Sequence, residues 1–337
     1  MNRFAYTRAG SVAEAVQALA GDPAARIIAG GTNLVDLMKY NVERPDRLID
    51  ITRLPLAAIE EHEGGLRIGA LVPNSTVAYD ARVTARYPLL ASAILAGASP
   101  QLRNAASTGG NLLQRTRCYY FYDEGTPCNK RVPGSGCPAI AGVNRIHAIL
   151  GTSDHCIATH PSDMCVALAA LDATVRVEGP NGPRAIPFAE FHRLPGDEPQ
   201  RDTTLAHGEI VLSVDLPDRD FSRHYTYLKL RDRLSYAFAL VSVAAALEMD
   251  GETIRTARLA LGGVAHKPWR NAQAERSLEG RTAGPETFRA AADLILAEAK
   301  PYAHNGFKIE LARRAIVRGL AQAAAGTPQS QTDKRIR

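Results

Sequence analysis

The chain has 337 residues, enough for two domains that each bury a core, which excludes a peptide or a disulfide-stapled miniprotein. Hydrophobic residues make up 45% and charged residues 22%, with 27 glycines and 20 prolines, the make-up of a folded globular protein and not of a disordered or fibrous one. The net charge of +5, from 40 basic against 35 acidic residues, is too small and too evenly spread to indicate nucleic-acid binding.

Ser11 and Glu14 form an S-x-x-E capping pattern ahead of Val12, Ala15, Val16 and Leu19, so a helix is expected over 11–19. Residues 26–29 read as a short strand that runs into Gly30-Gly31-Thr32-Asn33 and then a helix-compatible stretch over 34–38. Strands are expected over 48–51 and 66–71, a helix after Asn74-Ser75, and another over 88–95. Periodicity then breaks down over 107–151, a stretch too long for an ordinary loop unless something else organises it. Regular structure resumes with Ser162 as N-cap of a helix over 163–171, then strands over 174–178 and 210–216. Past Pro217-Asp218-Arg219-Asp220, strands are expected over 225–230, 237–249 and 254–261, the last two joined by Asp250-Gly251. Alanine-rich helices follow over 285–298 and 305–323, and residues 326–337 read as a disordered polar tail. The longest apolar run, Tyr236 to Met249, is too short to span a bilayer, and the N-terminal segment, broken by Glu14 and Gln17, carries no export signal.

Two small-residue turns have the chemistry of an anion cradle: Ala29-Gly30-Gly31-Thr32-Asn33 and Ala106-Ser107-Thr108-Gly109-Gly110-Asn111. Each alone is a weak signal, and neither matches the Rossmann fingerprint; together they fit the two halves of a dinucleotide pyrophosphate. The five cysteines all fall between Cys118 and Cys165, which points to a metal or cluster site and not to a secreted disulfide framework. No C-x2-C knuckle is present, so the positive argument for structural zinc is missing. Arg115, Arg117, Lys130, Arg131 and Arg145 would offset the negative charge of a thiolate-ligated iron–sulfur cluster, while zinc and unliganded thiols remain open on these features. Cys165, within an apolar helix, reads as a small buried hydrophobe. His147, His155 and His160 surround the last of the other four cysteines as ligands or tuners, or as ordinary histidines. Asp163 reads as a ribose-hydroxyl acceptor or a plain helix N-terminal carboxylate, and Lys229 as a residue facing a cofactor or a solvated strand end. No hydrolytic triad is legible.

Taken together, Ile28-Ala29-Gly30-Gly31-Thr32-Asn33-Leu34, Gln101-Leu102-Arg103-Asn104, Gly109 to Arg115, His160-Pro161-Ser162-Asp163-Met164 and Gly262 to Trp269 resemble the FAD-binding medium subunits of the molybdenum hydroxylases, the xanthine dehydrogenase and carbon monoxide dehydrogenase group. The resemblance runs nearly end to end and is greatest to the bacterial aldehyde oxidoreductase branch, whose flavin subunit carries an extra [4Fe-4S] cluster. It implies an α+β fold: a two-subdomain FAD-binding domain of the vanillyl-alcohol-oxidase type over 1–220, with a cysteine-rich insertion over 115–158. A smaller antiparallel-sheet and helix domain would follow over 224–325. Ile28, Ala29, Gly30, Gly31, Thr32, Asn33 and Leu34 would then cradle the FAD pyrophosphate, and Ser107, Thr108, Gly109, Gly110 and Asn111 would close over the phosphates and flavin. Leu113 would pack near the isoalloxazine, Asp163 would bind the sugar or ribityl chain, Lys229 would approach from the second domain and Val211 would supply an apolar contact. Cys118, Cys128, Cys137 and Cys156 would ligate the [4Fe-4S] cluster, with Cys165 outside the set. The implied role is an electron relay with no acid or base catalyst of its own. A molybdopterin subunit would oxidise an aldehyde, a [2Fe-2S] subunit would pass the electrons on, and FAD would deliver them to an external acceptor. Export to the periplasm would depend on a leader carried by a partner. The rival readings are a stand-alone flavoenzyme with its own substrate and a zinc-stabilised binding module.

Overall fold

The computed structural model describes residues 1–333. Strands β1 (Ala5–Arg8), β2 (Ala25–Ile28) and β3 (Arg47–Asp50) form a parallel sheet in the order β1-β3-β2. Parallel neighbours need crossovers, and the helices Val12–Ala20 and Leu34–Lys39 lie in the two connections. The first starts where the capping pattern places it: Ser11 Oγ accepts from the Glu14 N–H at 3.1 Å, while the Glu14 carboxylate reaches back to the Gly10 N–H at 2.7 Å. Ala15, Val16, Ala25, Ile49 and Ile51 close a small core beneath this sheet.

A second, antiparallel sheet is built from β4 (Ile59–His62), β5 (Gly65–Gly69), β6 (Thr174–Gly179), β7 (Gly182–Pro187) and β8 (Ile210–Leu216) in the order β4-β5-β8-β6-β7. Between β5 and β6 the chain leaves the sheet for residues 70–173. There it forms the helices Asn74–Tyr79, Ala81–Arg86, Pro88–Ala96, Pro100–Ala105 and Thr108–Leu112, and then a long irregular stretch whose regular part is the single turn Tyr119–Tyr122. It returns through the helix Asp163–Ala170, all of whose residues are buried. A helix apolar on every side belongs inside a core. This one shares its cluster with Val175 and Val214 of the second sheet and with Ala244, Ala246 and Ala260 of a third.

That third sheet is antiparallel, with β9 (Tyr225–Leu230), β10 (Val241–Asp250) and β11 (Thr253–Gly262) in the order β11-β10-β9. Its central strand is covered on both faces. Ala244 and Ala246 turn toward the buried helix, while Val243, Ala245 and Leu247 face Ala312, Ala315, Ile316 and Leu320 of the helix Phe307–Ala324. The helices Ala272–Leu278 and Pro285–Ile295 complete this layer. Ile149 and Leu150 of the irregular stretch also enter its core, and both their N–H groups donate to the Val264 carbonyl, at 2.9 and 3.0 Å. The architecture is α+β, with an antiparallel sheet and helices at the C-terminal end.

Two expectations shift. Strand β10 begins at Val241 and not at Ala237, since residues 237–239 sit in an irregular connection. The polar tail does not leave the surface at Gly326: the Gln329 N–H donates to Thr226 Oγ1 at 2.9 Å and Gln331 Nε2 to the Tyr227 carbonyl at 3.0 Å, because edge strand β9 offers acceptors there. Residues 334–337 of that tail lie outside the described residues. Among the described residues no helix is long and apolar enough to cross a membrane.

Candidate functional site

The turn after β2 holds a row of unused donors. Gly31 has φ +71°, and among the described residues none of the main-chain N–H groups of Gly30, Gly31, Thr32, Asn33 or Leu34 meets a protein acceptor. Consecutive free N–H groups around a left-handed residue form an anion-binding concavity, here leading into the helix Leu34–Lys39. Asn33 Oδ1 accepts from the Arg115 N–H at 3.0 Å, while its amide Nδ2 is buried without any partner. A buried, unsatisfied amide costs about 1–3 kcal/mol unless a ligand accepts from it. Ile28 and Ala29 are half-buried beside the turn. These residues fit an anionic group such as a pyrophosphate.

The second small-residue turn abuts the first but is used differently. Its donors are spent within the protein: Thr108 N–H on the Val72 carbonyl at 2.9 Å, Gly109 N–H on Ala70 at 2.8 Å, Asn111 N–H on Ser107 at 2.9 Å, and Gly110 N–H on Ser107 Oγ at 3.2 Å. Its glycines serve close approach. A Cβ on Gly109 would stand 3.0 Å from Ala70 Cβ, and one on Gly30 would stand 1.8 Å from the Ala105 carbonyl oxygen. The missing side chain of Gly30 therefore lets the first turn touch the start of the second, and that of Gly109 lets the second lie against Ala70. The Asn111 amide donates to Asn74 Oδ1 at 2.6 Å, and its oxygen accepts from Ser162 Oγ at 2.6 Å.

Asp163 and Lys229 meet directly. Lys229 Nζ donates to Asp163 Oδ2 at 2.7 Å and to the Ala96 carbonyl at 3.1 Å, and Tyr227 Oη donates to Asp163 Oδ1 at 2.7 Å. Burial, and the charge of Asp163 after it, raise the Tyr227 phenol well above its ordinary value, so it stays a donor. The pair ties β9 to the buried helix Asp163–Ala170. Lys229→Met would strand the Asp163 carboxylate, and the expected loss is about 3–5 kcal/mol of unfolding free energy, read from urea midpoints; a loss below about 1 kcal/mol would show that the carboxylate is solvated. Leu113 is exposed next to the second turn, whereas Val211 is buried within β8. Tyr227 carried no signal in the sequence, since its partner stands 64 residues away.

Cys118, Cys128, Cys137 and Cys156 line one cavity, together with Lys130, His147, His155 and apolar residues. All four are free thiols, and all but Cys137 are buried. Burial pushes the Cys118 thiol up to about 12, Cys156 up to about 11 and Cys137 upward. Main-chain N–H groups of Phe121 and Tyr120 oppose this at Cys118, and the Ala158 N–H lies 3.4 Å from Cys156 Sγ. His147 Nε2 stands 3.0 Å from Cys118 Sγ. In a tetrahedral zinc site the sulfurs are about 3.8 Å apart. Among the described residues the metal-ligand atoms that cluster within 4.8 Å of one another belong instead to His160, Cys165 and His192. The four thiols form a soft, all-sulfur donor set, which suits an iron–sulfur cluster. Cys165 lies outside this cavity, in the central core.

Of the five cationic residues singled out in the sequence, Lys130 is the one that lines the cavity. Arg115 pairs with Glu43 at 2.7 Å and Asp202 at 2.8 Å. Lys130 Nζ donates to Asp202 and, at 2.7 Å, to the Pro199 carbonyl, and it stands 2.7 Å from His266 Nε2. Burial alone would raise the Asp202 carboxyl, but Lys130, Arg115 and His266 hold it well below the usual range. Arg117 pairs with Asp36, Arg145 with Asp232, and Arg131 donates to the carbonyls of Tyr120, Phe121 and Thr126. Asp202 and His266 were not legible as site residues, because only the fold brings them to Lys130.

His160 and His192 stack with ring centroids 4.3 Å apart. His192 Nε2 donates to the Leu112 carbonyl at 2.8 Å, leaving Nδ1 without a partner, as is His160 Nε2. Burial holds His192 down to about 4 and His160 well below its ordinary value. The unfolded chain protonates both near 6.5 and the folded one does not, so their contribution is intact above pH 6.5 and is lost as pH falls toward 4. The expected slope is about 1.4 kcal/mol per pH unit for each histidine. His192→Phe should remove one such increment from the pH dependence of the urea midpoint; an unchanged slope would contradict a neutral, buried His192.

Residues 2–219 match the model of the FAD-binding domain in molybdopterin dehydrogenase, and residues 224–323 that of the carbon monoxide dehydrogenase flavoprotein C-terminal domain. The chain belongs to the FAD-binding subunits of the molybdenum hydroxylases. It is 51% identical over 327 residues to the aldehyde oxidoreductase FAD-binding subunit PaoB of Escherichia coli (strain K12), covering 96% of this chain and 99% of that one. It is 27% identical to the glyceraldehyde dehydrogenase medium chain of Sulfolobus acidocaldarius, over 88% of this chain and 89% of that one. Carbon monoxide dehydrogenase from Hydrogenophaga pseudoflava superposes with a TM-score of 0.76 at 28% identity, covering 96% of this chain and 98% of its counterpart. As a member of these flavoprotein subunits the chain binds FAD and forms part of an oxidoreductase, and the medium subunits it resembles work beside partner subunits.

Proposed function

We propose that the chain is the FAD and [4Fe-4S] electron-transfer subunit of a heteromeric molybdenum aldehyde oxidoreductase. It takes electrons from a [2Fe-2S] subunit and a molybdopterin-containing large subunit and passes them to an external acceptor. The aldehyde assignment rests on two relatives named for aldehyde oxidation. The observation that carries the relay role is the convergence of four free thiols on one cavity, joined to the cradle through Arg115, which reaches both Asn33 and Asp202.

Bound FAD exchanges electrons singly or in pairs, whereas an iron–sulfur cluster moves one at a time. The chain's own residues supply everything else. The N–H groups of Gly30 to Leu34 and the Asn33 amide would hold the pyrophosphate, with Ser107 to Asn111 packed against them and Leu113 exposed beside the flavin. Asp163, fixed by Lys229 and Tyr227, would present its remaining lone pairs to the sugar or ribityl hydroxyls, and Val211, buried in β8, would supply an apolar contact. Cys118, Cys128, Cys137 and Cys156 would hold the cluster. The burial of Cys118, Cys128 and Cys156 limits access of water, and the N–H groups aimed at the sulfurs stabilise the thiolate form.

The test is anaerobic purification of the assembled complex with flavin, iron and visible absorption measured per chain. One FAD and about four iron atoms beyond those of the [2Fe-2S] partner are expected per chain. Flavin with no iron beyond the partner's would remove the cluster from this chain, a chain that holds FAD but assembles with no partner would favour a stand-alone flavoprotein, and zinc on the four thiols in place of iron would reject the relay.

A further inference from the structure

We propose that Lys130 sets the reduction potential of the group held by the four cysteines, as the charged end of a buried network that reaches the flavin cradle. This inference rests on the cluster reading above. Lys130 follows Cys128 by two residues, and its side chain is 2% exposed. It lines the same cavity as all four thiols.

The ammonium group is held from three sides: by the Pro199 carbonyl, by Asp202, and by His266, whose Nδ1 is itself 2.8 Å from the Arg193 carbonyl. Behind Asp202 stands Arg115, whose guanidinium also pairs with Glu43 and lies 4.8 Å over the Phe121 ring. Phe121 lines the cavity and the Arg115 N–H binds Asn33, so one fixed chain of charges touches both cofactor sites. The four charged residues cancel in pairs, but their order does not cancel, because Lys130 is the one among them that lines the cavity of the four thiols. A fixed positive charge in a water-poor site stabilises whichever state carries the extra electron. Lys130 therefore raises the potential, and Asp202 partly offsets it.

Two charge-changing variants of the holo complex test the sign, with potentials read by electron paramagnetic resonance during redox titration. Lys130→Met should lower the one-electron potential by a tenfold shift in the reduction equilibrium or more, which is about 59 mV. Asp202→Asn should move it upward, and Lys130→Arg should stay near the wild-type value. A merely structural role would not give shifts of opposite sign. Iron retained with an unchanged potential in Lys130→Met, or shifts of the same sign in Lys130→Met and Asp202→Asn, would overturn the proposal. Should Lys130→Met lose its iron, Asp202→Asn decides it: a rise supports the assignment, and no change or a fall rejects it. Wild-type complex with no iron beyond the [2Fe-2S] partner's would instead overturn the cluster itself, a separate outcome.

Discussion

Cys128→Ser is expected to remove about four iron atoms per chain from the complex, leaving the iron of the [2Fe-2S] partner, and to lower the thermal midpoint of the subunit by about 10 °C. The reason lies in how little else organises the segment. Between the helices Thr108–Leu112 and Asp163–Ala170 the regular structure is one helical turn, and the local apolar cluster is small: Leu37, Phe121, Ala139, Ile157 and Ala158 around the cysteines themselves. Cys128 sits at a tight turn, its N–H donating to Ser135 Oγ at 3.0 Å and its carbonyl accepting from Arg131 and Val132. Serine keeps those main-chain bonds and removes only the thiolate, so the variant isolates the ligand role. Cys165→Ser, in the central core, serves as the comparison and should leave iron unchanged. Iron undiminished in Cys128→Ser, measured on anaerobically purified complex, would remove Cys128 from the ligand set.

Gly30→Val should yield a complex with little or no FAD. The sequence suggests that a side chain here would displace the phosphate. The structure supplies a nearer obstacle: the first atom of any side chain would stand 1.8 Å from the Ala105 carbonyl oxygen and 2.8 Å from its carbon. Both are main-chain atoms, so no rotamer relieves the overlap. The two turns must separate, which opens the cradle and costs stability of the order of 3 kcal/mol. FAD released per chain after acid precipitation, set beside the urea midpoint, reads both effects. A variant with normal FAD content would mean that the turns need not touch to hold the cofactor.

Much of the fold was legible because local patterns agreed with it. The capped helix after Ser11, the strand and glycine turn at 25–33, the apolar strand Ile210–Leu216 and the hairpin at Asp250-Gly251 appear within a residue or two of their expected places. Three strands carried no pattern. All of β1 is exposed, and β4 and β7 are edge strands with few buried positions, so alternation had no core to report on. The short helices Ala81–Arg86, Pro100–Ala105 and Ala272–Leu278 were likewise silent, the middle one having no buried residue.

Residue types and their spacing along the chain were enough to mark two glycine turns, a cysteine-bearing stretch without periodicity, and the family that shares them, since glycine and cysteine advertise special backbone and ligand chemistry wherever they stand. Which donors are free is another matter. That Gly30 to Leu34 keep theirs while Thr108 to Asn111 spend theirs on Ala70, Val72 and Ser107 depends on segments distant in sequence. So do the pairing of Asp163 with Lys229 and the meeting of Lys130, Asp202 and His266. Hydrogen bonds and ion pairs act over about 3 Å in space whatever the separation along the chain, so partners 66, 72 or 136 residues apart become neighbours only when the sheets and the buried helix have packed.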